Sequence, residues 1–241
     1  MNGILLVDKP KGWTSFDVVG KIRYMVQHSE LNTSNKKRFP TGHTGTLDPL
    51  ATGLLVVLLG ASTKQAMNLT KLDKTYEVTM KLGQTSTTGD AEGTVTSVND
   101  SQPTEAEITE VLQQFVGDIM QTPPAFSAIK INGQRAYKLA REGKIPDLKP
   151  RPVHINSIML TEYAYPYVRF IADVSSGTYI RSLVEDAGAA LKTGAYMSDL
   201  RRTRVGEFDI KDAVIMDGLT PQKIADAKKD PSEHLAQADP I

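Results

Sequence analysis

The longest apolar run in the chain, Leu54 to Leu59, is only six residues long, and it constrains the fold more than any other feature. An unbroken run of that length reads as a buried strand. It is far short of the roughly 20 residues that a membrane-spanning helix needs. Ile4 to Val7 reads as a second short strand, stopped by the turn signal Lys9-Pro10-Lys11-Gly12. Tyr76 to Leu82 alternates like a half-buried strand, and Val153 to Leu160 and Tyr167 to Val174 are of the same kind. Helical stripes lie among them. Ser15 is placed to cap a helix whose positions Val18, Val19, Ile22, Met25 and Val26 share one face. Thr104 and Glu107 form a capping box ahead of Ile108, Val111, Leu112 and Phe115, a stripe closed by Gly117. A short helix is expected near Ala136 to Glu142, stopped by Gly143, and another along Ile180, Leu183, Val184, Ala187 and Leu191. Thr220-Pro221 opens a last one. Strands and helices mix without a steady βαβ rhythm. The expectation is an α+β fold with a mixed, largely antiparallel central sheet flanked by helices. No linker is evident, so residues 1–241 are expected to form a single domain.

The rest of the composition serves mainly to exclude. The chain has no cysteine, which removes disulfides and thiolate metal sites. Its four histidines, His28, His43, His154 and His234, show no ligand spacing, so no metal is expected. Neither a Walker A loop nor a G-x-G-x-x-G turn is present, and nothing in the sequence asks for a cofactor. The start MNGILLVDKPKG lacks the apolar core of a signal peptide, so a cytoplasmic protein away from membranes is expected. Net charge is zero, yet charge is segregated along the chain. Gly83 to Asp118 holds seven acids and no Lys or Arg, whereas Lys130 to Arg151 holds seven bases and two acids. The second stretch suits phosphate binding; it equally suits a solvated surface.

One acid stands out. Asp48 sits in GHTGTLDPLATG, residues 42–53, just ahead of the buried run. Pro49 pushes it toward extended geometry, and Gly45 and Gly53 permit tight turns, so its carboxylate could be presented at a strand end. The plainer alternative is an Asx-type turn before proline.

GHTGTLDPLATG resembles the central motif of the bacterial tRNA pseudouridine synthase B (TruB) family. Five further blocks resemble that family in order: GILLVDKPKGWTSF (3–16), Lys74-Thr75-Tyr76, PPAFSAIKINGQRAYKLAREG (123–143), SSGTYIRSL (175–183) and LRRTRVGEF (200–208). The resemblance implies the pseudouridine synthase fold. It also implies isomerisation of the T-loop uridine at position 55 of tRNA to pseudouridine, with no cofactor and no metal. Asp48 then matches the catalytic aspartate, Arg181 the arginine that pairs with it, and Tyr76 the tyrosine that stacks on the target base. His43 matches a histidine that meets the extruded nucleotide, and Tyr179 and Leu200 match residues walling the pocket. Without the resemblance, Arg181 reads as a helix-surface charge, His43 as a solvated loop residue, and the others as core. The basic segment 123–152 matches an RNA-gripping insertion, with Lys130, Arg135, Lys138, Arg141 and Lys144 as candidates for backbone phosphates. The implied partner is the T stem-loop of tRNA, met by a monomer without an obligatory protein or guide RNA. Only 33 residues follow Phe208, so the family's usual C-terminal RNA-binding domain is expected to be absent.

Overall fold

A computed structural model describes residues 1–32, 38–127, 129–131, 133–144 and 146–230. Its strands are β1 (Gly3–Lys9), β2 (Thr41–His43), β3 (Thr52–Leu59), β4 (Lys74–Leu82), β5 (Gln84–Ser86), β6 (Val95–Ser97) and β7 (Gly117–Gln121). They continue with β8 (Lys130–Ile131), β9 (Gln134–Arg135), β10 (Arg151–Ala164), β11 (Tyr167–Val174), β12 (Ala195–Val205), β13 (Phe208–Asp209) and β14 (Val214–Ile215). The helices are α1 (Ser15–Gln27), α2 (Ala66–Thr70), α3 (Glu105–Gln113), α4 (Ala136–Arg141), α5 (Ile180–Ala190) and α6 (Pro221–Ala227). The class is α+β with a mixed sheet, as the patterning predicts. By contact density the chain divides into two compact units, Met1–Thr75 with Arg201–Ile241, and Tyr76–Leu200.

In the first unit β1 pairs antiparallel with β3, from Gly3 opposite Leu59 to Lys9 opposite Gly53. Strand β14 joins β1 in parallel, β12 joins β3 in parallel, and β2 lies antiparallel on β3. The unbroken apolar run of β3 now has its reason: both of its faces are covered. Leu55, Val57 and Leu59 pack with Leu5 and Val7 against Val18, Val19, Ile22 and Val26 of α1 and Ile224 of α6. Leu54, Val56 and Leu58 pack with Ile4 and Leu6 against Leu69, Val205 and Phe208. A strand buried on both sides has no reason to alternate. Gly53 is required where β3 meets β12. Its φ is +101°, and a Cβ there would lie 2.3 Å from the carbonyl oxygen of Arg202.

Helix α1 corrects one expectation. Its cap is Thr14, whose hydroxyl accepts from Asp17 N–H while the Asp17 carboxylate accepts from Thr14 N–H, a closed capping box. Ser15 is the first helical residue and turns inward, where its hydroxyl has a different partner, described below. The polar loop 29–41 leads at Thr41 into β2, which pairs with β3 and carries His43. Residues 33–37 of that loop lie outside the described residues.

In the second unit the strands stand in the order β12, β4, β11, β10, β7. Strand β4 alternates as predicted, burying Tyr76, Val78, Met80 and Leu82. Strand β10 is longer than its apolar signal, because its ends stay paired: Arg151 and Pro152 lie opposite Gln121 and Met120 of β7, and Glu162 to Ala164 lie opposite Arg169 to Tyr167 of β11. Helix α3 begins at the predicted Thr104 and Glu107 box but ends at Gln113. Gly117 therefore does not close α3; it opens β7. Strand β12, eleven residues carrying three arginines, was not anticipated.

Candidate active site

The loop between β2 and β3 carries Asp48, half-buried, and the first unit pins that loop at nearly every residue. Thr44 N–H donates to Val56 O (3.1 Å). Leu47 N–H donates to the Ser15 hydroxyl (2.8 Å), which in turn donates to Leu47 O (3.0 Å). Asp48 O accepts from Ala51 N–H (3.1 Å), closing a tight turn with Pro49 at its second position. Pro49 O accepts from Gly12 N–H (2.8 Å) and from the Lys9 ammonium (3.5 Å).

Two fully buried cations complete this frame. Lys9 is 0% exposed, and its ammonium also donates to the carbonyls of Pro10 (3.0 Å) and Trp13 (2.6 Å). Arg202 is 1% exposed, and its guanidinium donates to Leu54 O (2.7 Å) and Gly45 O (3.0 Å). A buried charge is tolerable only when such partners replace water. Lys74 lies nearby, donating to the carbonyls of Thr70 (3.0 Å) and Leu72. Burial, and then the positive charge of Arg202, bring the Lys74 ammonium down to about 8, with Asp73 pulling the other way.

His43 is half-buried on β2. Its Nδ1 accepts from Gly45 N–H (3.3 Å), and its ring meets Phe16 edge-on. Burial and then Arg202 lower its pKa, so the imidazole is held neutral at pH 7 and is no longer an ordinary solvated loop histidine.

The second unit holds the other candidates. Arg181, the second residue of α5, is 6% exposed, which removes the helix-surface reading. Its guanidinium donates to Thr88 O (3.0 Å) and Phe126 O (2.8 Å) and stands 3.5 Å from the buried Asp90 carboxylate. Asp90 is itself held by the Thr88 hydroxyl and by Glu92 N–H. Tyr179 is the residue that caps α5, and the buried Gln121 amide grips its backbone from both sides. Tyr179 N–H donates to Gln121 Oε1 (2.8 Å), and Gln121 Nε2 donates to Tyr179 O (3.1 Å). Tyr76 and Leu200 are buried, each 7% exposed.

The five basic candidates all sit at the surface. Lys130 and Arg135 flank the tight β8–β9 hairpin, and Lys138 and Arg141 ride on α4. A cleft of about 440 Å³ opens there, lined by Lys130, Arg135, Tyr137 and Lys138 among others. Arg141 lies over the Tyr137 ring at 5.5 Å, and Lys144 is engaged by Glu142 at 2.8 Å. A further cleft of about 460 Å³ in the first unit is lined by Trp13, Lys21 and Met216 and by an Asp8–Arg201 ion pair with contacts of 2.7 and 3.1 Å. Asp48 is not among its lining residues.

Several of the residues that hold these candidates, each within its own unit, carry little signal in the sequence. Lys9 and Arg202 lay inside recognised motifs but had no reason to be singled out. Asp90 counted only as one acid among seven, and Gln121 carried no signal. Ser15 carries a capping signal, but its hydroxyl bonds Leu47 instead.

Among the described residues no group of three or more His, Asp or Glu could hold a metal ion, and no helix is long and apolar enough to cross a membrane. A family model described as TruB family pseudouridylate synthase, N-terminal domain, matches residues 33–180. One described as tRNA pseudouridylate synthase B C-terminal domain matches residues 181–238. The tRNA pseudouridine synthase B of Burkholderia mallei is 41% identical over 242 residues, covering 100% of this chain and 77% of that one. The protein of the same name from Opitutus terrae is 41% identical over 230 residues, covering 95% and 91%. Among solved structures, a chain of a Cbf5-Nop10-Gar1 complex superposes with a TM-score of 0.70 at 29% identity, over 95% of this chain and 60% of that one. A chain of an H/ACA RNP bound to a substrate RNA containing 2′-deoxyuridine gives 0.64 at 28% identity, over 89% and 51%. This chain thus spans between half and three fifths of those solved chains.

Proposed function

This chain belongs to the TruB family of pseudouridylate synthases, and on that premise we propose that it converts the T-loop uridine of tRNA, position 55, to pseudouridine in the cytoplasm. The reaction breaks the C1′–N1 bond, turns the base and joins C1′ to C5. The C5 proton leaves and N1 gains one, so nothing is oxidised or hydrolysed. The chemistry needs an anion or nucleophile beside sugar and base, because covalent attack divides one difficult step into easier ones.

Asp48 is that group. The observation that carries the reading is the frame around it: a carboxylate on a loop whose backbone is tied at Thr44, Gly45, Leu47, Asp48 and Pro49. Rates depend steeply on such placement. Tyr76, Tyr179 and Leu200 take their roles as base-facing residues from their motifs. Arg181 takes from its motif the role of holding the Asp48 carboxylate. A guanidinium favours the ionised acid and can grip it with two parallel bonds. The target base is stacked in a folded loop and must swing out first, at a cost of a few kcal/mol. The exposed cations of the β8–β9 hairpin and α4 hold the RNA backbone.

The likeness to chains of H/ACA complexes favours one second reading, a subunit that depends on partner proteins and a guide RNA. The higher identity to tRNA pseudouridine synthase B, over the whole of this chain, supports the stand-alone enzyme. Tritium release from tRNA labelled at uracil C5, with no other protein or RNA added, separates the two. The wild type should release label, and Asp48→Asn should bind tRNA but release none. Release by Asp48→Asn at the wild-type rate would overturn the mechanism, and silence of the wild type on bare tRNA would favour the guide-dependent reading.

A further inference from the structure

Within the first unit, α1 and the segment 39–43 run side by side and are joined in steps. Phe39 N–H donates to Gln27 Oε1 (2.5 Å), and Arg23 Nη2 donates to Thr41 O (3.1 Å). The last step is aromatic: Phe16 meets His43 with ring centroids 6.0 Å apart and planes at 89°. Gln27, Arg23, Gly20 and Phe16 recur at helical spacing, so they line one flank of α1.

Phe16 is 73% exposed. Single exposed apolar residues are ordinary, but this one is placed with unusual firmness. Thr14 and Asp17 close the helix cap on either side of it. Its neighbour Ser15 is bonded to Leu47, one residue from Asp48. One turn along, Gly20 leaves a bare shelf, where an added Cβ would meet nothing within 4 Å. Arg23 and the exposed Arg38 sit close enough for their charges to interact, which places positive charge along the same flank.

We propose that Phe16 is a base-stacking platform for an unpaired nucleotide next to the target uridine, distinct from the nucleotide that meets His43. Two perpendicular rings cannot both lie flat against one base, so a base stacked on Phe16 cannot also stack on His43. An exposed ring with a bare shelf beside it and cations along the helix matches how single-stranded RNA is held, by stacking and by backbone charge.

The inference rests on the tRNA reading above, and the experiment keeps the two apart. Affinity for a T stem-loop RNA and single-turnover tritium release are measured for the wild type, Phe16→Ala, Phe16→Leu and Phe16→Trp. Stacking predicts that Ala and Leu weaken binding about 5- to 150-fold, while Trp stays within about twofold of the wild type. The rate at saturating enzyme should change by less than about threefold, because the platform binds and does not react. Leu keeps the apolar bulk without the ring, so wild-type affinity in Phe16→Leu would overturn the proposal even if Phe16→Ala folded poorly. Wild-type affinity in Phe16→Ala would overturn it as well. If the wild type itself releases no tritium from tRNA, the tRNA reading falls and takes the platform with it. If the wild type is active and the variants bind normally, the platform alone falls.

Discussion

Replacing Ser15 with Ala should damage the loop of Asp48 without touching Asp48. Ser15 is 1% exposed and exchanges two hydrogen bonds with Leu47, at 2.8 and 3.0 Å. Alanine removes both and leaves the buried Leu47 amide with no acceptor in its place. A net hydrogen bond contributes about 1 kcal/mol, and an orphaned buried amide costs about 1–3, so the loss should be about 2–4 kcal/mol. For a chain of 241 residues, about 2–4 °C of melting temperature accompanies each kcal/mol. Urea denaturation should show the midpoint falling with an unchanged slope. A loop displaced by about 1 Å should also lower single-turnover tritium release by up to about 100-fold. The control is the residue before it. Thr14→Ala opens the capping box at a cost of about 1 kcal/mol, but it leaves the Leu47 bonds in place. If Ser15→Ala melted like the wild type, or lost no more rate than Thr14→Ala, the claim that this serine sets the loop would be refuted.

Two further outcomes follow from the electrostatics. Lys74 titrates near 8 in the folded chain against 10.5 for an ordinary lysine, so the unfolded chain holds more protons between those values and stability should rise with pH across that window. The rise should approach about 3 kcal/mol at most, and it should vanish in Lys74→Met, as read by urea midpoints at pH 7 to 10. Among the surface cations, Lys130→Gln, Arg135→Gln and Lys138→Gln should each flatten the salt dependence of tRNA affinity by about 0.7–0.9 in log–log slope. Lys144→Gln should flatten it less, because Glu142 already engages that ammonium; equal slopes for all four would refute the distinction.

Much of the fold was legible because local pattern and burial agree. Val18, Val19, Ile22 and Val26 mark the inner face of α1, and the alternation of β4 survives in the folded chain. Where the reading slipped, two local rules competed. Thr14 and Ser15 are both good caps, and the choice fell to Thr14 because Asp17 completes its box. Gly117 sits where a helix stop and a strand start look alike. Strand β12 hid because its buried arginine, Arg202, finds its acceptor at Leu54, 148 residues away in sequence. No window of local sequence carries such a partnership. Asp48 could be picked out by motif, but the ties that hold its loop come from Lys9, Ser15 and Arg202, whose burial is a tertiary fact.

Arg202 reaches both Gly45 and Leu54, so it clips together the two ends of the stretch that holds Asp48. In a chain without cysteine, this does the work of a cross-link using charge and carbonyls alone. Such a clip forms with folding itself, requires no oxidant, and is indifferent to thiols. The geometry of the loop should therefore be the same in reducing and oxidising surroundings.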